Sequence, residues 1–331
     1  MNSMVCPVCG GQASLRYPDH PGYQEPDTFG IYHCGSCNTS FADPLKVDGQ
    51  LYELIYAHHG QIPGYDRYFK YASAALKSDD PLSYLAASED AYWAINKFIE
   101  ENGKAASRRF LEVGSGLGYL TYALSRRGID ITGLDISCKA VERATAMYGG
   151  HYICKDLFEL SRTSPKSFDV IISSEVIEHM PEVGRFFEAV DALLADGGEL
   201  AITTPSRTLY DDSVLWETEG PPVHLWWFSE RSMEALASKF GYVVRFIDFT
   251  EFNKTHPLNI WKRQNPHLPT RPPVFREDGG LNLGMRTSTV YYAAKACLRA
   301  YRTGMAMASS YILGNKESRR GTLCAVFKKN G

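Results

Sequence analysis

Four cysteines near the start of the chain form two Cys-x-x-Cys pairs, Cys6 with Cys9 and Cys34 with Cys37, separated by 24 residues. Thiolates are soft ligands, and two such pairs in one short segment supply the four corners of a tetrahedral site. That is the arrangement zinc takes in structural sites, and with every corner filled by protein no position is left for catalysis. Nucleic-acid-binding ribbons interleave basic residues with aromatics. Here Arg16 is the only Arg or Lys between the pairs, set against Asp19, Glu25 and Asp27. That balance argues against phosphate contacts and makes a nucleic-acid partner an unfavoured reading.

A second constellation begins at FLEVGSGLGYL, where Gly114, Gly116 and Gly118 lie between an apolar strand pattern and a helical one. Glycines in such a turn permit close approach of backbone to a ligand, and the helix N-terminus presents free amides. Glu112 precedes them, an awkward neighbour for a pyrophosphate and a suitable one for a cationic ligand. Asp135 closes the second strand, where a carboxylate can take two ribose hydroxyls, and Asp156 follows the third, where it can accept from an adenine amine. At the exit of the fourth strand stands Glu175-Val176-Ile177-Glu178-His179, and a later loop holds His224 beside Trp226, Trp227 and Phe228. A histidine titrates near neutral pH and can remove a proton from an acceptor. His179 and His224 are therefore the candidate bases, and either one is equally readable as a packing residue.

These motifs resemble those of class I S-adenosylmethionine (SAM)-dependent methyltransferases, and the EVIEH segment resembles the ubiquinone-type branch that methylates small molecules. The resemblance covers roughly residues 105–250. It implies that Glu112, Gly114, Gly116, Gly118 and Tyr119 border the methionine and ribose end of the cofactor, with Asp135 at the ribose hydroxyls and Ile136 among the cofactor-binding residues. It further implies Asp156 and Leu157 at the adenine, and Glu175 toward the sulfonium side. The cysteine pairs resemble the N-terminal zinc-binding modules that precede some sugar and natural-product methyltransferases.

The elements that must position these residues follow from periodicity. Residues 105–205 alternate apolar strands with helices that end at glycines, the rhythm of a parallel sheet with crossover helices. The resemblance adds GTLCAVFKK as an antiparallel last strand. The expected fold is α/β: a Rossmann-like, seven-stranded, mostly parallel sheet with an antiparallel last strand, plus a small zinc-ribbon-like module. The expected organisation is a zinc-binding module at 1–45, a helical segment covering the active site at 46–104, and a methyltransferase domain at 105–331 with a substrate-side insertion at about 251–315. GYVVRFIDFTEF reads as a strand, and the run from Thr287 to Leu313 as a long helix or two. Tyr65, Tyr68, Phe69 and Tyr71 form an aromatic stripe over the site or in the core, and Arg67 is a candidate for an acceptor carboxylate or phosphate. His58 and His59 are adjacent near a helix end, readable as a contribution to catalysis or as a solvated helix terminus.

The 331 residues are 44% hydrophobic and 22% charged with a formal net charge of −3, an ordinary globular balance. No stretch approaches about 18 apolar residues, so no membrane span is expected. The N-terminus lacks a basic region followed by an apolar run, so a cytoplasmic location is the default expectation. The remaining cysteines, Cys138, Cys154, Cys297 and Cys324, are scattered and are expected as free thiols outside any disulfide framework. The reading favoured on these grounds is methyl transfer to a small-molecule acceptor, an oxygen of a sugar or natural-product intermediate, with SAM as cofactor and a structural Zn2+. An RNA or protein methyltransferase that uses the zinc module for recognition, and a non-enzymatic binding protein on the same fold, stay open, and a homodimer is compatible with either.

Overall fold

The structure is a computed structural model that describes residues 3–58, 61–62, 65–102, 107–209, 220–256, 273–282 and 317–329, with isolated positions between 293 and 308. Most of the helix expected from Thr287, most of the expected insertion, and His59 lie outside the described residues, and the isolated positions described between 293 and 308 are helical.

The central sheet has seven strands: β5 (Arg109–Val113), β6 (Asp130–Asp135), β7 (Tyr152–Cys154), β8 (Phe168–Ser174), β9 (Leu194–Pro205), β11 (Tyr242–Phe246) and β12 (Thr322–Lys329). Their spatial order is β11-β12-β9-β8-β5-β6-β7. The five strands from β9 to β7 pair parallel, and β12 pairs antiparallel to both β9 and β11. This is the Rossmann-like arrangement expected from the alternating pattern. Parallel strands are covered on both faces, which is why VIIS and LAITT read as continuous apolar runs.

Helices α5 (Tyr119–Ser125), α6 (Cys138–Tyr148), α7 (Leu157–Thr163) and α8 (Val183–Leu193) make the crossovers. Ser137 caps α6 through the Ala140 N–H at 3.3 Å, and Asp156 caps α7 through the N–H groups of Phe158 and Glu159. These caps satisfy amides that a helix start leaves unpaired, and they put Asp135 and Asp156 at the sheet's C-terminal edge, where α/β folds hold ligands. Before the sheet come α1 (Gly49–Ala57), α2 (Asp66–Lys77), α3 (Pro81–Ser88) and α4 (Asp90–Asn102). The stripe Ala91, Ala94, Ile95 and Phe98 of α4 is buried, and Ala94, Ile95 and Phe98 share one core cluster with Leu120 and Val326.

Beyond β11 the structure departs from the expected long strand. The chain leaves the sheet after Phe246, and α10 (Thr250–Thr255) follows a short turn. The Asp248 carboxylate accepts the Thr250 N–H at 2.7 Å, which turns the chain. Phe249 and Phe252 then meet Trp93 of α4, with ring centroids 5.5 and 5.2 Å apart.

The cysteine-rich segment folds as β1 (Ser3–Val5), β2 (Gln12–Pro21), β3 (Thr28–Cys34) and β4 (Thr39–Asp43). Its sheet gains a fifth strand from far along the chain. β10 (Trp226–Trp227) pairs antiparallel with β4, Trp226 opposite Phe41 and Trp227 opposite Ser40. Phe41, Trp226 and Cys37 share one core cluster with Phe186, Val190 and Leu323. The segment has too few apolar residues for a core of its own and buries its inner face in the core of the main sheet. Helix α9 (Glu230–Phe240) follows β10, capped by Ser229 with a reciprocal Ser232 contact and closed by Gly241 at φ 74°. Among the described residues no helix is long and apolar enough to cross a membrane.

Trp226 stacks on Phe228, tilts against Phe41, and donates its indole N–H to the Met180 carbonyl at 2.7 Å. Trp226→Ala should lower the unfolding free energy by about 3–5 kcal/mol, read from the midpoint and slope of urea denaturation.

Candidate active site

The glycine loop leaves β5 and enters α5. Gly114, Gly116 and Gly118 all have positive φ, at 76°, 49° and 79°. At Gly114 a Cβ would come within 2.5 Å of the Val176 side chain, so a close approach forbids any other residue there. At Gly116 a Cβ would meet nothing within 4 Å. The loop backbone therefore curls around open space at this position, a cradle that a ligand can occupy. Asp135 borders it: its Oδ2 accepts the Gly116 N–H at 2.7 Å and its Oδ1 accepts the Ser137 N–H at 2.8 Å. An ionised carboxylate offers about four acceptor positions, so two remain for a diol. Burial raises the Asp135 carboxyl above its usual range, against the lowering by those two amides.

Glu112 lies beneath the loop, only 4% exposed, and accepts the Thr121 hydroxyl, which ties β5 to the start of α5. Burial pushes its carboxyl up to about 8, opposed by the contacts with Thr121. A cation bound nearby would reverse that shift, which suits a ligand carrying an amine or sulfonium. Tyr119 is buried. Its hydroxyl meets that of Tyr92 at 2.5 Å and its ring packs edge-on against Tyr71 and Tyr92.

On the adenine side of the expected cofactor, Ile136 is 75% exposed at the rim, Leu157 is buried in the core, and Asp156 serves as the cap of α7. Cys138 and Cys154 are corrected here. Expected as free thiols, they form a disulfide with a Cα–Cα distance of 5.0 Å. The cause is register: Leu134 and Asp135 of β6 lie opposite Ile153 and Cys154 of β7, which brings the two thiols across the same rim.

Past β8 the chain turns sharply. Glu175 takes a left-handed φ of 56°, rare for a residue with a side chain and concentrated at functional sites. The next residue, Val176, packs on Gly114, so this turn abuts the glycine loop. A 3-10 turn (Ile177–His179) follows. It brings Glu178, His179 and His224 together, with one ligand-capable atom of each within 4.8 Å of the others. The imidazole rings are 4.7 Å apart, centroid to centroid. His179 Nδ1 lies 2.6 Å from the Val223 carbonyl, which can only accept, so Nδ1 carries the proton and Nε2 of the neutral ring is left as a base or ligand. That Nε2 lies 3.9 Å from Glu178 Oε1. Glu178 is fully buried; Thr204 donates to its Oε2 at 2.9 Å, while Oε1 has no hydrogen-bond partner among the described residues. Two imidazoles and a carboxylate at this spacing can hold a divalent cation or relay a proton.

Two contributors to this cluster carried no assigned role from sequence. Glu178 stood inside the EVIEH motif, and its acidity was the available signal. Tyr52 of α1 places its hydroxyl 3.2 Å from His179 Nδ1, and nothing in its local sequence marks it. Three further candidates, Tyr71, Arg67 and His58, make contacts within the chain. Tyr71 packs against Tyr84, Tyr92 and Tyr119, Arg67 is ion-paired with Glu89 at 2.7 Å, and His58 ends α1 with Nδ1 3.0 Å from the Leu54 carbonyl.

The four N-terminal cysteines converge. Cys6 Sγ lies 3.7 Å from Cys37 Sγ, and Cys9 Sγ 3.5 Å from Cys34 Sγ. A tetrahedron of metal–sulfur bonds near 2.3 Å has edges of about 3.8 Å, so the set fits a zinc-sized ion. The Gly11 N–H points at Cys9 Sγ at 3.4 Å, an outer contact of the kind that steadies a thiolate. Without a cation two of the thiols are raised above their usual range: Cys37 by the Cys6 contact and burial, and Cys9 by burial.

With this geometry in place, comparisons with known proteins add the following. Residues 87–245 match a family model described as a methyltransferase domain. The ubiquinone biosynthesis O-methyltransferase of Saccharophagus degradans is 30% identical over 115 residues, covering 33% of this chain and 49% of that protein. Its counterpart in Nitrosococcus oceani is 34% identical over 117 residues, covering 34% and 50%. The chain thus spans about half the length of the curated relatives it matches. A SAM-dependent methyltransferase of Archaeoglobus fulgidus superposes with a TM-score of 0.43 at 16% identity over 75% of this chain and 94% of that one. That likeness is too slight to bear on function.

The Glu112 carboxyl predicts a pH effect. Protonated in the folded chain up to about 8 but only to about 4.5 when unfolded, it makes the folded state bind more protons across that window. Stability of the cofactor-free protein should therefore fall as pH rises between these limits. Glu112→Gln should flatten that slope, measured as melting temperature against pH.

Proposed function

We propose that the chain is a SAM-dependent methyltransferase acting on a small-molecule acceptor, with an oxygen atom of a sugar- or natural-product-like intermediate as the methylated position. The observation that carries the reading is the packing of Val176 on Gly114. It makes the open cradle over Gly116 and the Glu178–His179–His224 cluster neighbours at one edge of the sheet. The methyltransferase-domain match over 87–245 supports the reaction class. The two O-methyltransferase relatives support oxygen as the acceptor atom.

In this reading Asp135 takes the ribose hydroxyls, the amides of the glycine loop line the methionine end, and Glu112 favours the cationic form of the cofactor from below. Ile136 and Leu157 border the adenine with Asp156, and Glu175 faces the sulfonium side. Bound SAM supplies an electrophilic methyl group on a sulfonium. The protein aligns the acceptor, excludes water and takes up the hydroxyl proton. His179 Nε2 is the receiving atom, with Nδ1 anchored on the Val223 carbonyl and the buried Glu178 carboxylate stabilising the imidazolium. The Cys6, Cys9, Cys34 and Cys37 site holds a structural zinc.

Calorimetry with SAM is the direct test. Micromolar binding that Asp135→Asn weakens by about 10–100-fold, with little change in melting temperature, is the expected result; no binding to metal-replete protein would sink the reading. For the chemistry, His179→Gln should reduce transfer of labelled methyl to a panel of hydroxylated small molecules by about 100-fold or more while leaving SAM affinity intact. Activity lost to EDTA and restored by Mg2+ would assign the cluster to a divalent cation; EDTA-resistant activity assigns it to proton transfer alone.

A further inference from the structure

His224 has no secondary structure of its own, yet it is 4% exposed and holds a defined place beside His179. What holds it is the backbone on either side. The preceding carbonyl, Val223, accepts from His179 Nδ1 at 2.6 Å. The following residue, Leu225, is bonded in both directions: its N–H donates to the Glu178 carbonyl at 2.8 Å, and its carbonyl accepts the Ala42 N–H at 2.9 Å. Ala42 belongs to β4 of the cysteine-rich sheet, whose ladder with β10 continues the same pairing. The loop carrying His224 is therefore clamped between the EVIEH segment and the N-terminal module.

The module is itself anchored at both ends. At the metal end, the Cys37 carbonyl accepts from the hydroxyls of Ser229 and Ser232, each at 3.2 Å, and Thr39 donates to Ser232 at 2.7 Å. These are the capping residues of α9, so the cysteine knuckle completes the helix start that follows the His224 loop. At the far end, in the β2–β3 turn, the Tyr23 N–H donates to the Pro221 carbonyl at 2.7 Å, just ahead of His224. Tyr23 is buried there with Leu51, Val223 and Phe275. One rigid ribbon thus fixes the loop at residue 221, at 225–227 and at 229.

We propose that the four-cysteine module is a positioning element for His224: metal held by Cys6, Cys9, Cys34 and Cys37 fixes β4, and β4 fixes the His224 loop against Glu178 through Ala42 and Leu225. The module is then an internal wall of the acceptor side, and Ala42 is a positioning residue that acts through its backbone alone. The ribbon has too few apolar residues for a core of its own, so the metal supplies the cross-link that ties β4 to the rest of the module, while Phe41 and Trp226 seat it against the main sheet. The use of the Glu178–His179–His224 cluster in methyl transfer rests on the reading above; the placement of His224 by the module does not.

The test compares metal-replete protein, protein stripped with 1,10-phenanthroline, and metal-replete Ala42→Pro, which keeps all four cysteines but lacks the N–H that reaches Leu225. Three readouts are taken: amide hydrogen exchange, the His224 ring resonances, and affinity for S-adenosylhomocysteine. Both perturbations should speed exchange in segment 221–229 by about tenfold or more and shift the His224 ring signals. Exchange in 109–135 should stay unchanged, and S-adenosylhomocysteine affinity should stay within about twofold, because the cradle is held by β6 and its own loop. Unchanged exchange and ring signals after metal removal would overturn the proposal. So would an equal loss of protection in 109–135, which would make the module a support for the whole fold. Absence of S-adenosylhomocysteine binding alongside a shifted His224 would sink the methyl-transfer reading and leave the positioning role standing.

Discussion

Leu225 donates to Glu178 and accepts from Ala42, and through these two backbone bonds three distant parts of the chain become one site. The exit of β8, the loop after β9 and the N-terminal ribbon have no local reason to meet. Buried amides and carbonyls need partners, and each segment supplies what the next one lacks. The aromatic side chains around that seam, Phe41, Trp226 and Phe228, seal it from water. The bonds are thereby placed where they are strongest.

Burial also shapes the chemistry of the acidic groups. Glu112, Asp135 and Glu178 are removed from bulk water to different degrees and receive different compensation. Asp135 gains two backbone amides, and Glu112 gains Thr121. Glu178 is fully buried, with the Thr204 hydroxyl on one oxygen and an imidazole edge near the other. For Glu112 and Asp135, burial raises the carboxyl above its usual range. A carboxyl raised in this way beside an open cradle would be lowered again by a cation bound nearby.

Much of this was legible in the residues. The strand–glycine–helix pattern around Gly114, Gly116 and Gly118 is local, since strand, turn and helix follow one another directly. The cap Ser229 is likewise read from its immediate neighbours. The caps Ser137 and Asp156 came with the structure, although each accepts only from amides two or three residues on. Four cysteines in paired spacing announce their convergence. Where local pattern misled, a tertiary contact had won. The strand expected through Phe252 ends at Phe246 because Phe249 and Phe252 have Trp93 to pack on. The thiols of Cys138 and Cys154, scattered in sequence, meet because β6 and β7 are adjacent and in that register.

The sequence by itself determined the α/β alternation, the composition of the glycine cradle and the identity of the four converging cysteines, because each rests on contacts between residues close in the chain or on the chemistry of a side-chain type. Only the tertiary structure decided which histidine faces which acid, that Tyr52 reaches His179, and that the ribbon incorporates Trp226 and Trp227 as its fifth strand. Those pairings depend on register and on the burial of surfaces far apart in the chain. Spacing along a chain carries no record of which distant edge will supply the missing hydrogen bonds.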